Sequence, residues 1–225
     1  MVAVWRRLEK SGRAFSHQPI AQASMADWDT VYREKGAAGV SWFRPHLDVS
    51  LRLLERAGIG EDTRLIDVGG GASTLVDDLL DRGARHVTVL DVSAEALRIA
   101  RERLGDRAGS VRFIVADVLA AGLDMAAFDI WHDRAVLHFL TRASDAATYA
   151  ERVRDALVPG GHALIGGFAA DGPLKCSGRE VARREPDEIA ALLGAGFDLM
   201  EAAHETHVTP AGALQRFAYG LFRKR

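Results

Sequence analysis

The sequence predicts an α/β fold on a doubly wound, mostly parallel sheet, and three observations carry that prediction. Strand-like apolar runs alternate with segments of helical period along most of the chain. Three glycines, Gly69-Gly70-Gly71, follow directly on the first strand in LIDVGGGAST (65–74). Two strand-like segments close the chain with no helix between them, which predicts an antiparallel last strand.

The elements follow in order. PHLDVSLRLLERAG (45–58) has the period of a helix, and TRLIDV (63–68) that of a buried strand. Leu75, Val76, Leu79 and Leu80 share a helical face, and Gly83 predicts the stop. HVTVLDV (86–92) is the second strand, and Ser93 caps a helix with Leu97, Ala100 and Leu104 on one side. VRFIVADV (111–118) and FDIWHD (128–133) are strands three and four. Ser144 is expected to cap a helix bearing Tyr149, Val153, Ala156 and Leu157, ending at VPGG (158–161). HALIGGF (162–168) is strand five, and Pro186 opens a helix with Ile189, Leu192 and Leu193. FDLMEAAHETHV (197–208) and ALQRFAYGLF (213–222) form a hairpin around TPAG.

Bulk properties exclude several classes. At 225 residues, 48% hydrophobic and 27% charged, the chain suits one soluble domain with a full core. A net charge of −2 gives no electrostatic case for nucleic acid or an acidic membrane. No apolar run reaches membrane-spanning length. Cys176 is the single cysteine, so no intrachain disulfide forms, and no Cys/His spacing suggests a metal site. A reducing cytoplasm fits. Residues 1–25 carry four Arg/Lys and one acid, Glu9, without the apolar centre of a secretory signal. They are expected to form a loose arm, with Met25 as an alternative start.

Ligands of such sheets bind beyond the carboxyl ends of the strands. The glycine turn admits a ligand close to the backbone, and the helix after it offers free N–H groups. Thr74 stands where a dinucleotide fingerprint has its third glycine, which counts against a nicotinamide cofactor. Asp67, before the glycines, suits a cationic amine better than a pyrophosphate. Asp91 ends strand two about 20 residues further on, placed for a ribose diol. Asp117 and Asp133 end strands three and four, so the first four strands all bring an acid to the same edge.

IDVGGGAST, VLDVS, VADV, FDIWHDRAVLHFL and LVPGGHALIGGF, in that order, resemble the class I, seven-strand S-adenosylmethionine-dependent methyltransferases. The resemblance runs from about residue 60 to the end. It implies a Rossmann-like seven-stranded sheet over residues 26–225, with a helical lid at 26–58. It implies that Asp67, Gly69, Gly70 and Gly71 hold the methionine end of S-adenosylmethionine. Asp91 would take the ribose, and Asp117 the adenine amine, with Val92 and Val118 on the ring. Trp28, Tyr32, Trp42 and Phe43 are candidates for a lid over the sulfonium, attractive to a cation and excluding water. Asp133 and His132 end strand four near the expected methyl position and are the candidate catalytic pair, with Asp133 also against the cofactor. His138 either faces inward or is buried packing.

WDTVYREKGAAGVSWFRPHLDVSLRLL (28–54) and WHDRAVLHFL (131–140) resemble two subgroups: protein-lysine methyltransferases of elongation factors and citrate synthase, and thiopurine methyltransferase. Asp133-Arg134-Ala135 is closer to the second. The expected reaction is direct methyl transfer to a nitrogen or sulfur of a small molecule or protein lysine. No Asn-Pro-Pro-Tyr signature points to nucleic acid. A non-catalytic S-adenosylmethionine-binding regulatory domain and a nucleotide-dependent oxidoreductase are the alternatives. The loop 169–185 is expected to cover the substrate, with Cys176 a plain loop thiol. Arg44 and His46 are candidates for lid or substrate contacts or else solvated surface residues, and His204, Glu205 and His207 are expected as solvated strand residues.

Overall fold

The structure, a computed structural model, describes residues 25–225, so the expected arm at 1–25 lies outside the described residues except for Met25, which opens the first helix. Helices α1 (Met25–Lys35) and α2 (Asp48–Arg56) precede strand β1 (Arg64–Val68). Then come α3 (Leu75–Asp81), β2 (His86–Asp91), α4 (Ala94–Leu104), β3 (Val111–Val115), β4 (Phe128–Arg134) and α5 (Ala143–Ala156). β5 (Leu157–Phe168) leads into a small ribbon, β6 (Lys175–Cys176) and β7 (Arg179–Glu180). α6 (Pro186–Leu193), β8 (Phe197–Val208) and β9 (Leu214–Lys224) complete the chain.

The seven long strands form one sheet in the order β3-β2-β1-β4-β5-β9-β8. β3, β2, β1, β4 and β5 pair in parallel, and β9 runs antiparallel to both β5 and β8. Alternation along β1 explains the two-sided winding. Leu65 faces the layer of α2, α3 and α4, against Leu53, Leu54, Leu75 and Leu97. Ile66 and Val68 face the opposite layer, against Tyr149 and Val153 of α5 and Ile189 of α6. Leu53, Leu54, Ile66 and Leu75 are fully buried, each contributing about 1.5–3 kcal/mol relative to exposure. The strand order reverses between β2 and β4, on either side of β1, and opens a crevice at their carboxyl ends.

Local signals act as expected at several ends. Ser93 Oγ accepts from Ala96 N–H at 3.0 Å and starts α4. Gly83, at φ +87°, follows the end of α3. Pro186 opens α6, where Glu185 and Glu188 cap it reciprocally.

Four boundaries differ. Ser144 does not cap α5; the helix starts at Ala143 and Arg142 holds the flanking position, pairing with Asp145 at 2.8 Å. Leu157 is extended at φ −84°, ψ 141°, so VPGG belongs to β5 rather than to a loop. The register shift between Phe128 and Ile130 absorbs the extra residues. β3 stops at Val115 and β2 at Asp91, because the chain leaves the sheet at its carboxyl edge. The β6–β7 ribbon gives order to a stretch whose Gly-Pro content suggested only a loop.

Candidate active site

The glycine turn fits against its neighbours so closely that side chains are excluded. A Cβ on Gly69 would collide with Val136, and one on Gly70 with the Asp67 carboxyl. Gly71 has φ +45°, and its Cβ would stand 2.8 Å from Asp91 Oδ2 and 3.0 Å from the Tyr32 hydroxyl. Gly69 N–H donates to Leu90 O at 2.7 Å, locking the turn to β2.

Beside this turn lies a cavity of about 580 Å³, within the range of small-molecule sites. Val68, Gly69, Asp91, Val92, Asp117 and Val118 form one end of its wall. Asp91 is buried, and its Oδ1 accepts from Ser93 N–H at 2.7 Å. Burial, with the Asp67 and Asp29 carboxyls nearby, pushes its pKa up to about 7. Asp117 caps the turn after β3 by accepting from Leu119 N–H at 2.9 Å.

Trp28, Tyr32 and Trp42 also line the cavity, packed edge to face, with Trp42 5.9 Å from Trp28 and 6.2 Å from Tyr32. Helix α1 is pinned there by Asp29, which accepts from Ser93 Oγ at 2.6 Å and Glu95 N–H at 3.0 Å.

The expected catalytic pair does not reach this cavity. Asp133 is fully buried beneath the turn after β4, accepting from Val136 N–H at 2.7 Å, Leu137 N–H at 3.0 Å and Tyr149 O–H at 2.5 Å. Burial pushes its pKa up to about 6, against the lowering effect of those donors. His132 is 1% exposed. Its Nδ1–H donates to Asp67 Oδ1 at 2.7 Å, and Nε2 accepts from the Ser50 hydroxyl at 2.9 Å. Alternation along β4 points these neighbours to opposite faces of the sheet, and α2 and α5 cover them. Asp67 and His132 lie instead on a small adjoining space of about 40 Å³, whose walls Gly69, Tyr32, Trp42 and Arg134 share with the main cavity.

The other wall comes from elements whose role the sequence did not reveal. Arg134 does not pair with Asp133. Its Nε donates to the Tyr219 hydroxyl at 3.0 Å, its Nη1 donates to Trp42 O at 3.1 Å, and its Cζ lies 4.5 Å from the centre of the Phe217 ring. Tyr219 in turn donates to Glu205 at 2.7 Å, and Glu205 pairs with Arg44 at 2.5 Å. Glu205 and Arg44 are thus a structural tie between β8 and the segment before α2, not solvated surface. His207 is likewise buried, with Nε2 donating to Ser41 O at 2.7 Å. His204 stays half exposed and meets Glu185 at 2.9 Å, and His46 meets Asp78 at 2.9 Å. Cys176 is 5% exposed and on the cavity wall, where burial pushes its thiol up to about 11. Ala135 takes φ +79°, a conformation that the sequence does not signal because the residue is not glycine. Among the described residues no cluster of three His, Cys, Asp or Glu forms a metal site, and no helix is long and apolar enough to cross a membrane.

Comparison with known proteins places this geometry in context. The model of the methyltransferase domain family matches residues 65–161, from β1 into β5. The ubiquinone/menaquinone biosynthesis C-methyltransferase UbiE of Methylobacterium nodulans is 36% identical over 104 residues, which are 45% of this chain and 40% of that protein. The eEF1A lysine and N-terminal methyltransferase of Xenopus laevis is 27% identical over 121 residues, 54% of this chain and 17% of that protein. The chain therefore spans less than half the length of these relatives. The 1,6-didemethyltoxoflavin-N1-methyltransferase of Burkholderia thailandensis, solved with S-adenosylhomocysteine, superposes with a TM-score of 0.63 at 24% identity, covering 89% of this chain and 83% of that one.

Proposed function

We propose that this protein is a methyltransferase that uses S-adenosylmethionine and transfers its methyl group directly to a nitrogen or sulfur of a small molecule. The observation that carries the reading is the Asp91 carboxyl, buried at the end of β2 and on the cavity wall beside Val92, Asp117 and Val118. The glycine turn packs directly on that carboxyl, since a Cβ at residue 71 would stand 2.8 Å from Asp91 Oδ2. A buried carboxyl at the end of β2 matches a ribose diol, which offers two donors. Val92 and Val118 supply apolar surface for an adenine ring, and Asp117 an acceptor for its amine. These residues fit the cofactor, which supplies an activated methyl group on a sulfonium.

The remaining residues orient and exclude. Gly69 and Gly70 allow the methionine end to approach the backbone, and Asp67 complements an ammonium there, held in place by His132 and Ser50. Trp28, Tyr32 and Trp42 form the lid, with α1 closing water out. Asp133 acts as a positioning residue: its two oxygens hold the turn that presents Ala135 and Val136 to the cavity. Alignment of two reactants is worth about 7–11 kcal/mol, so such a site needs no covalent intermediate.

The names of the similar proteins span carbon acceptors and protein lysine. The cavity itself favours a small molecule, since α1 and the β6–β7 ribbon stand over it. Calorimetric titration with S-adenosylmethionine, S-adenosylhomocysteine and NADH tests the cofactor. Binding of both sulfur ligands without NADH is expected, and binding of NADH alone would overturn the reading. Transfer from methyl-labelled cofactor to small-molecule extracts then separates an enzyme from a binding domain.

A further inference from the structure

Three consecutive glycines let a ligand approach the backbone, at an entropic cost. Glycine loses more conformational freedom on ordering than any other residue, so a turn of this kind is ready for a ligand only if something holds its shape. Part of the hold is local. Ser73 N–H donates to Gly70 O at 2.7 Å and closes a four-residue turn whose second residue is Gly71, at φ +45°. On the cavity side Gly71 packs on the Tyr32 hydroxyl and the Asp91 carboxyl.

The far side is held by α4. A Cβ on Gly71 would stand 3.4 Å from the Ala96 methyl. Arg103, seven residues on and on the same face of that helix, reaches the turn itself. Its Nη1 donates to Ala72 O at 2.7 Å and its Nη2 to Ser73 O at 2.6 Å. Its other edge grips α3: Nε and Nη2 donate to Asp77 Oδ2 at 3.0 and 2.7 Å. The carboxylate fixes the plane of the guanidinium, and the plane aims the remaining N–H groups at two successive carbonyls. A lysine, one point charge on a flexible stem, cannot do both. The side chains of Arg103 and Asp77 are 27% and 19% exposed, so the ion pair adds little to global stability. What it fixes is local. Arg107, just after α4, meets Asp77 at 3.5 Å and Asp81 at 2.6 Å and pairs with these acids rather than with the turn.

We propose that Arg103 is a positioning residue for the cofactor, which preorganises the glycine turn for the methionine end of S-adenosylmethionine and acts through the backbone of Ala72 and Ser73. This rests on the methyltransferase reading above and adds the group that offsets the freedom of the three glycines. Without the guanidinium, water meets the two carbonyls, the turn samples several shapes, and a ligand binds only the fraction in the right one. The effect is confined to one end of the ligand. In that reading the turn takes the amino-acid end, whereas the ribose and adenine meet Asp91, Val92, Asp117 and Val118.

The test is calorimetric titration of wild type, Arg103→Ala, Arg103→Lys and Arg107→Ala with two ligands. One is S-adenosylhomocysteine and the other 5′-methylthioadenosine, which lacks the amino-acid end. If the competent shape falls to about a tenth of the population, affinity falls about tenfold. Arg103→Ala is expected to lose about that much for S-adenosylhomocysteine and to bind 5′-methylthioadenosine within about twofold of wild type. Arg103→Lys is expected to behave like Arg103→Ala, and Arg107→Ala like wild type. Amide hydrogen exchange at Gly70, Gly71 and Ser73 is expected to be faster in ligand-free Arg103→Ala than in wild type. The proposal is overturned if Arg103→Ala keeps its affinity for S-adenosylhomocysteine, or if both ligands weaken alike, as general loosening of the fold would produce. It is overturned too if Arg107→Ala weakens S-adenosylhomocysteine as much. Should Arg103→Ala fail to fold, Arg103→Lys carries the same comparison. Should wild type bind 5′-methylthioadenosine too weakly to titrate, the exchange rates decide, and unchanged rates overturn the proposal. Failure of the wild-type protein to bind S-adenosylhomocysteine at all is a separate result, which removes the cofactor reading and this proposal with it.

Discussion

Asp91→Asn probes the cofactor wall through a pH signature. The Asp91 carboxyl, at about 7 instead of the ordinary 3.8, prefers to be protonated in the empty folded protein. Below pH 4 the group is protonated in both folded and unfolded chains, and the wild type carries no penalty. As pH rises from 4 to 7 the unfolded chain ionises first, and stability falls. Above pH 7 the cost is complete, at about 4 kcal/mol, taking about 1.4 kcal/mol per pH unit. Asn keeps an oxygen to accept from Ser93 N–H, at 2.7 Å in the wild type. Urea denaturation of ligand-free protein should show Asp91→Asn equal to wild type near pH 4 and more stable by up to about 4 kcal/mol at pH 8. Two hydroxyl donors prefer the ionised carboxyl. Wild-type affinity for S-adenosylhomocysteine should therefore rise through pH 6–8, up to tenfold per unit below 7, while the variant binds weakly without that slope. A variant destabilised equally at every pH, or a flat wild-type affinity over this range, would refute the reasoning.

Other outcomes follow from the same geometry. Gly71→Ala places a Cβ 2.8 Å from Asp91 Oδ2 at φ +45° and should weaken cofactor binding at least tenfold by calorimetry, with the fold retained by circular dichroism. Tyr149→Phe removes the 2.5 Å bond to Asp133 and leaves Trp131 Nε1–H without its acceptor, so denaturation should show a loss of about 2–3 kcal/mol, larger above pH 6, where Asp133 ionises. His132→Ala breaks the link from Asp67 to Ser50 and should cost about 2–3 kcal/mol of stability. Cys176, buried and with its thiol raised to about 11, should react with iodoacetamide at pH 8 far more slowly than free cysteine, and more slowly still when the cavity is filled, as read by mass spectrometry.

The sequence by itself determined the order of strands and helices, the glycine turn and the register of acids at one edge. Each of these is local: an apolar period, a cap such as Ser93, or a residue that must lack a side chain. It also announced the final hairpin, because β8 and β9 are joined by only a few turn residues. Tertiary structure alone decided which strand-end residues look into the cavity. Asp133 and His132 share the end of β4 with Arg134, yet only Arg134 lines the main cavity, because α5 covers Asp133 and α2 covers His132. Arg134 meets Tyr219 across 85 positions, Tyr219 and Glu205 carry the tie on to Arg44, and His207 meets Ser41 across 166. Spacing along a chain records periods of two to four residues. The direction of a side chain at the end of a strand is set by what packs over it from distant segments, and that information appears only when the sheet is assembled.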